Sequence, residues 1–416
     1  MRFLDDLHHP EKYLKVLFKW GLLGILIGIL GGLIGTAFHY VLNFVTEVRE
    51  HNTWLIFLLP LGGLLSVGIY KLAGMQGNRG TNEIIDAILD NKQVNPLIAP
   101  VIFLASTITH LFGGSGGREG AALQLGGSTA SFVAKLLKMK ENERTVLIMS
   151  GMSAVFAGLF GTPLTACLFT MEFASVGKIF TPALLPCYLA AFAASQVSVL
   201  LGILPETYML DQVLNINIVS GLQLLALAVL VGILGIVLVN VFHHSEHLAK
   251  KYFPNVWIRI SVGGILVMVM TLLVGDHRFN GAGMHMALEA VAGHADWYSF
   301  LLKMLFTAVT LSVGFKGGEI VPTFCIGATF GCVAGGLLGL DAGIAGALGL
   351  VGLFCCATNS PLTSIILSIE MFGGSNLYAF ALVCVIVFVI SGNWSLYSSQ
   401  EIRYSKSRLL TKRHRM

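Results

Sequence analysis

Two glutamates lie inside glycine clusters in this 416-residue chain. Glu119 belongs to the segment GGSGGREG, Gly113 to Gly120, and Glu319 belongs to KGGEIVP. Residues 96–112 and 121–134, which flank the first cluster, contain no Asp, Glu, Lys or Arg. A charged side chain inside a bilayer costs roughly 2.5–3.5 kcal/mol on insertion scales, so a carboxylate in such surroundings is a candidate functional group.

The glycine clusters predict a site for an anion. A glycine cluster between apolar helices allows the backbone to unwind and leaves amide groups unpaired where the next helix begins. Such amides, at the positive end of the helix dipole, attract anions. Three helix starts of this kind follow Gly77, Gly117 and Gly317. An ionised Glu119 would compete with the anion for these amides until a proton neutralised it, so anion and proton occupancy would be linked.

The basic neighbours of the two glutamates leave another interpretation open. Arg118 directly precedes Glu119, and Lys316 lies three residues before Glu319. Each glutamate would then be half of a buried ion pair, with a structural role only.

The composition places these motifs in a membrane protein. Charged residues make up 12% of the chain, hydrophobic residues 55%, and the mean hydropathy is +0.79, whereas roughly 25% of residues are charged in soluble domains. Hydropathy separates about ten to twelve apolar stretches, among them Val146–Thr170. Trp20–Val45 is long enough for a tilted or bent span, whereas residues 96–112 barely cross a bilayer, so some helices are expected to end inside it. We therefore expect an all-α polytopic membrane protein.

Charge at the ends of the chain predicts its orientation. Lys12, Lys15 and Lys19 precede the first long span, and a basic tail follows Tyr397. By the positive-inside rule both termini are cytoplasmic, with an even number of crossings of the cell membrane. The net charge of +4 comes mostly from the tail, so we expect the lipid bilayer as a partner and no nucleic acid. The seven cysteines lie in apolar segments without metal-ligand spacing, so we expect neither metal nor cofactor.

The chain also contains an internal repeat. The segment GTPLTACLFTMEF matches NSPLTSIILSIEMF at an offset of 198 residues, and the glycine clusters match at an offset of 200, which pairs Glu119 with Glu319. Duplication of this kind is typical of transporters, whose ion sites form where discontinuous helices of two repeats meet. Glu172 and Glu370 end the matching PLT helices, and we interpret them as structural caps or interfacial groups.

These motifs resemble the CLC family of chloride channels and anion/proton exchangers. The resemblance extends from about Trp20 to Tyr397 and includes GREG at residues 117–120, both PLT segments, a G-x-x-x-P motif at residues 318–322, and the tyrosine of WSLYSS. It implies a homodimer with one pore per subunit, inverted repeats, and discontinuous and re-entrant helices. It also implies that Glu119 is a gate and proton carrier.

The resemblance further implies the anion-binding residues and the domain limits. Glu319 would share gating and proton transfer with Glu119, and the anion path would be lined by Asn78, Gly80, Ile320, Val321 and Tyr397. The membrane domain would span residues 20–397, with repeats at about 20–204 and 217–397. Residues 1–19 would form a cytoplasmic segment and residues 398–416 a basic cytoplasmic tail.

Departures from the family pattern favour fluoride over chloride. Chloride-handling members carry a serine in the first loop, where this chain has GNRGTN, and exchangers carry a second inner glutamate where Phe173 follows Glu172. An altered loop, no inner glutamate and a glutamate at position 319 are typical of the fluoride/proton antiporter branch. Fluoride is strongly hydrated, and a protonated Glu319 is one donor able to replace its water. In the first loop, Arg79 is expected to reach the aqueous vestibule.

The sequence therefore predicts an antiporter that exports fluoride against inward-moving protons. The alternatives are a chloride/proton exchanger and a passive chloride channel. A hydrolase using Ser115 and His110 has the residue types but no nucleophile motif, so we do not expect an enzyme.

Overall fold

The computed structural model describes residues 10–208, 210, 212–403 and 406, and the described chain is predominantly helical. The first half contains α1 (Pro10–His51), α2 (Leu59–Leu72), α3 (Thr81–Leu89), α4 (Ile98–Leu111), α5 (Glu119–Leu136), α6 (Glu141–Phe160), α7 (Pro163–Glu172) and α8 (Leu184–Leu200). The second half contains α9 (Ile218–Tyr252), α10 (Val256–Val274), α11 (Met284–Val291), α12 (Ser299–Ser312), α13 (Ile320–Leu337), α14 (Ala342–Thr358), α15 (Pro361–Phe372) and α16 (Leu377–Ile390). Short 3₁₀ helices span Thr53–Leu58, Thr181–Ala183 and His277–Phe279, and two short strands, β1 (Ser175–Val176) and β2 (Glu401–Ile402), pair in parallel.

The two sets of eight helices form an inverted repeat. Gly117 and Gly318 form an isolated antiparallel bridge in which each amide donates to the other's carbonyl, both at 2.7 Å. The C-terminal end of α7 contacts the start of α15, and the C-terminal part of α15 contacts the start of α7. Reciprocal contacts of this kind are those that a two-fold axis produces. The expected inverted repeat with discontinuous helices is confirmed.

The register predicted for the glycine clusters is wrong by one residue. Arg118 and Glu319 are the N-cap residues of α5 and α13, and the helices begin at Glu119 and Ile320. Equivalent residues here are 201 apart, not 200. Glu319 is thus the counterpart of Arg118, and the two glutamates are not two copies of one group.

The helices differ widely in length, as membrane-embedded discontinuous helices do. Seven helical segments of the described chain are long and apolar enough to cross a bilayer, and five further apolar helices are shorter. α1 has 42 residues, or about 63 Å, against a hydrocarbon core of about 30 Å. It extends beyond Trp20–Val45 at both ends. α4 and α12 have 14 residues each, or about 21 Å, and end before a full crossing.

The apolar stretch Val146–Thr170 is two helices. α6 ends at Phe160 and is followed by the C-cap residue Gly161, which has a left-handed φ of +69°, and Pro163 is the first residue of α7. Proline at this position loses no hydrogen bond because the first amides of a helix are unpaired in any case.

The core lies where α5 packs on α6 and α13 packs on α14. Every residue of α14 from Gly343 to Thr358 is buried. Glycines allow the backbones to touch, because a Cβ on Gly126 would clash with the carbonyl of Gly151, and one on Gly327 would clash with that of Gly349. Small residues serve this purpose at helix interfaces in membranes, where close van der Waals packing replaces hydrophobic burial.

The first residues of the predicted tail are packed against the helices. β2 pairs with β1, which follows α7. The Gln400 side chain donates to the carbonyls of Phe173 and Thr358, at the ends of α7 and α14. Lys406 donates to the hydroxyl of Ser391 at 2.8 Å. Most of the tail, residues 404, 405 and 407–416, lies outside the described part of the chain.

Candidate functional site

The three predicted helix starts converge on one place. The starts of α5 and α13 meet at the Gly117–Gly318 bridge. At the first residue of α3, the Thr81 hydroxyl lies 3.5 Å from the carbonyl oxygen of Gly120. A Cβ on Gly318 would lie 2.6 Å from the amide nitrogen of Gly120 and 2.7 Å from Oε2 of Glu119. Glycine is required here because no side chain fits between the two helix starts.

The Glu119 carboxylate accepts hydrogen bonds from one amide at the start of α13 and one at the start of α5. The residue is fully buried. Its Oε2 accepts the N–H of Val321 at 3.1 Å, across the repeat boundary, and its Oε1 accepts the N–H of Arg118 at 3.1 Å. These are donors at a helix N-terminus, where the dipole favours a negative charge. A carboxylate thus sits where the sequence predicts an anion.

Arg118 does not pair with Glu119. Its guanidinium forms an ion pair with Glu206, donates to Nδ1 of His39 at 3.1 Å, and lies 5.1 Å from the ring centre of Phe160. The interpretation of Arg118 and Glu119 as a buried ion pair is therefore wrong: among the described residues Arg118 pairs with Glu206, and Glu119 accepts backbone N–H groups.

Glu319 is half-buried at the N-cap of α13, where its side chain caps no amide. In the described residues it forms no ion pair with Lys316, whose ammonium lies instead 4.5 Å from the ring centre of Tyr70. Glu319 is within electrostatic range of Glu119. Two carboxyl groups at one site repel each other when both are ionised.

Tyr397 contributes a hydroxyl group to this region. The residue is buried, and its ring packs edge-on against Phe173 at 5.6 Å. Both Glu119 and Glu319 lie within electrostatic range, and the hydroxyl has no hydrogen-bond partner among the described residues. A buried unpaired hydroxyl is costly, which makes this group a candidate donor for an anion. Ile320 and Val321 are buried in the first turn of α13, next to Glu119.

In the loop before α3, the Asn78 side chain and the Gly80 amide form hydrogen bonds with neighbouring residues of the same segment. The Asn78 amide donates to Glu83 at 2.6 Å, and its oxygen accepts the Gly80 N–H at 3.0 Å. Asn78 and Gly80 therefore shape the loop and offer neither of these groups to the Glu119 site. Arg79 pairs with Asp86 at 2.8 Å and is 55% exposed, consistent with the expected aqueous position.

The sequence of this chain matches one known protein family over most of its length. A profile of the voltage-gated chloride channel family matches residues 62–392. A chloride/fluoride channel protein of Pseudomonas syringae pv. tomato is 33% identical over 413 residues, covering 97% of this chain and 91% of that protein. This chain is a member of the CLC family. It is a multi-pass membrane protein of a family of anion channels and transporters.

Two solved CLC structures share the fold. A CLC-type fluoride/proton antiporter is 34% identical, with a TM-score of 0.89, over 93% of this chain and 98% of that one. A slow cyanobacterial Cl⁻/H⁺ antiporter is 17% identical, with a TM-score of 0.77, over 89% and 94%; this likeness concerns the fold.

The glutamates that end the PLT helices of this CLC protein cap the opposite repeat. Glu172 accepts the N–H groups of Leu362 and Thr363 at 3.2 and 2.9 Å and the Thr363 hydroxyl at 2.6 Å. Glu370 accepts the N–H groups of Leu164 and Thr165 at 2.9 and 2.7 Å. The interpretation of both residues as caps agrees with these contacts.

The residues of the hydrolase alternative are not arranged for catalysis. The Ser115 hydroxyl bonds to Thr307 at 2.9 Å and to the ammonium of Lys303 at 3.0 Å. The His110 ring bonds to the carbonyl of Ser106. Among the contacts of the described residues, His110 is therefore not paired with Ser115.

Two residues at the CLC site were missed by sequence reasoning. Thr81 supplies a hydroxyl in the loop where only a serine was sought, and its position one residue after Gly80 was a usable signal. Glu206 pairs with Arg118 from the loop between the repeats. Nothing local in the sequence marks Glu206, because its partner is 88 residues away.

Proposed function

We propose that this protein is a CLC fluoride/proton antiporter that exports fluoride from the cell with energy from inward proton movement. The proposal rests on the position of Glu119. Its carboxylate accepts a hydrogen bond from the Val321 amide, at the place where a small anion would bind. A proton taken up by Glu119 removes the charge that the amides stabilise, and the neutral side chain gives way to an anion. Proton uptake and anion entry are thereby coupled.

The surrounding groups fit fluoride, which gives up its hydration shell only to a dense set of donors. In this proposal the amides of Ile320 and Val321 and the Tyr397 hydroxyl contact the anion. A protonated Glu319 adds a further O–H donor and shares proton transfer with Glu119. Asn78 and Gly80 border the path through the loop that they shape. The names of the two relatives at 33% and 34% identity, a chloride/fluoride channel protein and a fluoride/proton antiporter, support the same choice of anion.

The orientation and assembly are part of the proposal. The protein acts in the cell membrane with both termini in the cytoplasm and as a homodimer with one path per subunit. Its membrane domain spans residues 20–397, with repeats at about 20–204 and 217–397, between cytoplasmic segments at 1–19 and 398–416. It carries out no covalent chemistry and is not an enzyme.

Flux measurements in proteoliposomes test the function. An outward fluoride gradient is expected to drive protons inward against their own gradient, and Glu119→Gln is expected to abolish this proton movement because an amide cannot carry a proton. Glu143→Gln, at a surface ion pair with Lys19, is the matched control and should behave as wild type. Fluoride flux without proton movement would indicate a passive channel, and chloride-driven proton uptake at equal or higher rate would indicate a chloride/proton exchanger; either result overturns the proposal.

A further inference from the structure

Arg118 directly precedes the gate glutamate, and its positive charge is not used by the proposed anion site. A guanidinium directly beside the gate glutamate would hold Glu119 in its ionised form, since an opposite charge within about 4–6 Å lowers a carboxyl pKa by roughly one to three units. A carboxylate held in this way would take up a proton, and give up its hydrogen bond to the start of α13, only at acidic pH. Some other group must offset the charge of Arg118.

Glu206 is placed to do so. The Arg118 and Glu206 side chains are only 13% and 16% exposed and form an ion pair. The loop that carries Glu206 is fixed by the break between α6 and α7. The Glu206 N–H donates to the carbonyl of Phe160 at 3.1 Å, and Pro205 lies so close that a Cβ on Gly161 would approach its Cα to 2.5 Å. Backbone contacts therefore fix the position of Glu206, and the Arg118 side chain extends to form the ion pair with it.

The remaining partners of Arg118 do not neutralise it. His39 on α1 accepts an N–H of Arg118 at Nδ1, and an imidazole that accepts this hydrogen bond supplies no negative charge. The Phe160 ring contributes a cation–π contact without charge. Among the described residues, Glu206 forms an ion pair with Arg118, whereas Glu119 lies within electrostatic range of Arg118 without forming one.

We propose that Glu206 is a positioning residue for the gate, which holds the Arg118 guanidinium away from the Glu119 carboxylate and so keeps that carboxylate free to exchange its proton. The inference rests on the proposed function and adds a residue of the loop between the repeats to its machinery. Glu206 itself touches neither the anion nor the proton in transit.

Other titratable groups face this cluster from the neighbouring elements. His39 on α1, His110 on α4 and Tyr208 in the same loop lie within electrostatic range of Arg118. Burial raises the pKa of Tyr208 to about 12, so its phenol remains neutral in the range of the assay. Glu319 is the further carboxyl group within range of Glu119.

The test is the pH dependence of fluoride-driven proton uptake in proteoliposomes. In Glu206→Gln the charge of Arg118 is no longer offset, the ionised form of Glu119 is stabilised, and the pH of half-maximal uptake is expected to fall by about one to two units. Arg118→Gln removes the cation and is expected to shift it in the opposite direction. The double variant should return close to wild type, and Glu206→Asp should restore most of the profile. Glu143→Gln is the control with an ion pair elsewhere.

The pattern of signs separates this role from a merely structural one, since a loss of folded protein lowers the amplitude without moving the midpoint. If Glu206→Gln is not recovered from membranes, the alkaline shift of Arg118→Gln still tests the idea. Coupled transport in wild type with unshifted midpoints in both single variants, or an acid shift that persists in the double variant, would overturn the inference. Wild-type flux without proton movement would overturn the proposed function instead, and the same opposite shifts would then be sought in the fluoride flux alone.

Discussion

The reciprocal caps between α7 and α15 provide a test in which stability and transport give different answers. Glu172→Gln replaces a carboxylate that accepts three hydrogen bonds, two of them from backbone amides of α15. The amide keeps one acceptor oxygen, and its NH₂ group faces a donor. Hydrogen bonds to charged groups contribute about 1.5–3 kcal/mol each, so the loss of one bond and of the charge–dipole attraction is expected to cost about 2–4 kcal/mol of unfolding free energy.

The matching change at Glu370 is expected to cost less. This carboxylate accepts two hydrogen bonds, one on each oxygen, and is half-buried where Glu172 is buried. Glu370→Gln should therefore lower the unfolding free energy by about 1–2 kcal/mol. Glu143→Gln, at an ion pair that is 31% exposed on the glutamate side, should cost under about 1 kcal/mol.

Reversible unfolding in mixed micelles of a mild detergent and dodecyl sulfate, followed by tryptophan fluorescence, measures these differences. The folded fraction of each variant is reconstituted in parallel for flux. Proton coupling should be unchanged in both cap variants, since neither glutamate lies at the Glu119 site. A Glu172→Gln protein with unaltered stability and lost proton movement would refute the reasoning and make this carboxylate a proton carrier.

Three further changes probe the site and the tail. Gly318→Ala places a methyl group 2.6 Å from the Gly120 amide nitrogen. The substitution should lower the unfolding free energy by about 1–3 kcal/mol in the same micelle assay and should slow transport. Gly374→Ala is the control, because Gly374 has open space around it, and it should have neither effect. Tyr397→Phe removes a hydroxyl without a partner, so stability should stay within about 0.5 kcal/mol while the half-saturating fluoride concentration rises about fivefold, the equivalent of about 1 kcal/mol; an unchanged fluoride dependence would remove Tyr397 from the anion path. Gln400→Ala deletes the bonds to the ends of α7 and α14 and should accelerate tryptic cleavage after Arg403, as measured by mass spectrometry, and a rate equal to wild type would show that this side chain does not hold the tail.

The fold class was accessible from the sequence because hydropathy and internal repetition are properties of the chain itself. The PLT segments were matched at the correct offset of 198 residues, and the structure begins a helix at the proline of each. The glycine clusters were matched one residue out, because glycine-rich segments align almost equally well in neighbouring registers. The backbone bridge between Gly117 and Gly318 and the starts of α5 and α13 fix the offset at 201.

Part of the candidate site was likewise predictable from the sequence, and part was not. Composition and spacing were sufficient to select Glu119 and to predict amides at three helix starts, because helix termini leave unpaired donors whatever the tertiary fold. The partners of the charged groups were not accessible. As an alternative interpretation, the sequence offered Arg118 as a partner for Glu119 and Lys316 as a partner for Glu319, because they are neighbours in the chain. The structure instead pairs Arg118 with Glu206 and places Lys316 over Tyr70.

The sequence by itself therefore determined a duplicated membrane protein with a carboxylate among helix-start amides. Only the tertiary structure decided that the Glu119 carboxylate accepts the amide of Val321, 202 residues away, and that Arg118 pairs with Glu206, 88 residues away. The physical reason is that helix starts and apolar spans are set by local sequence. The partner of a buried charge is set by which backbone segments the inverted repeat brings together, and that depends on packing over the whole chain.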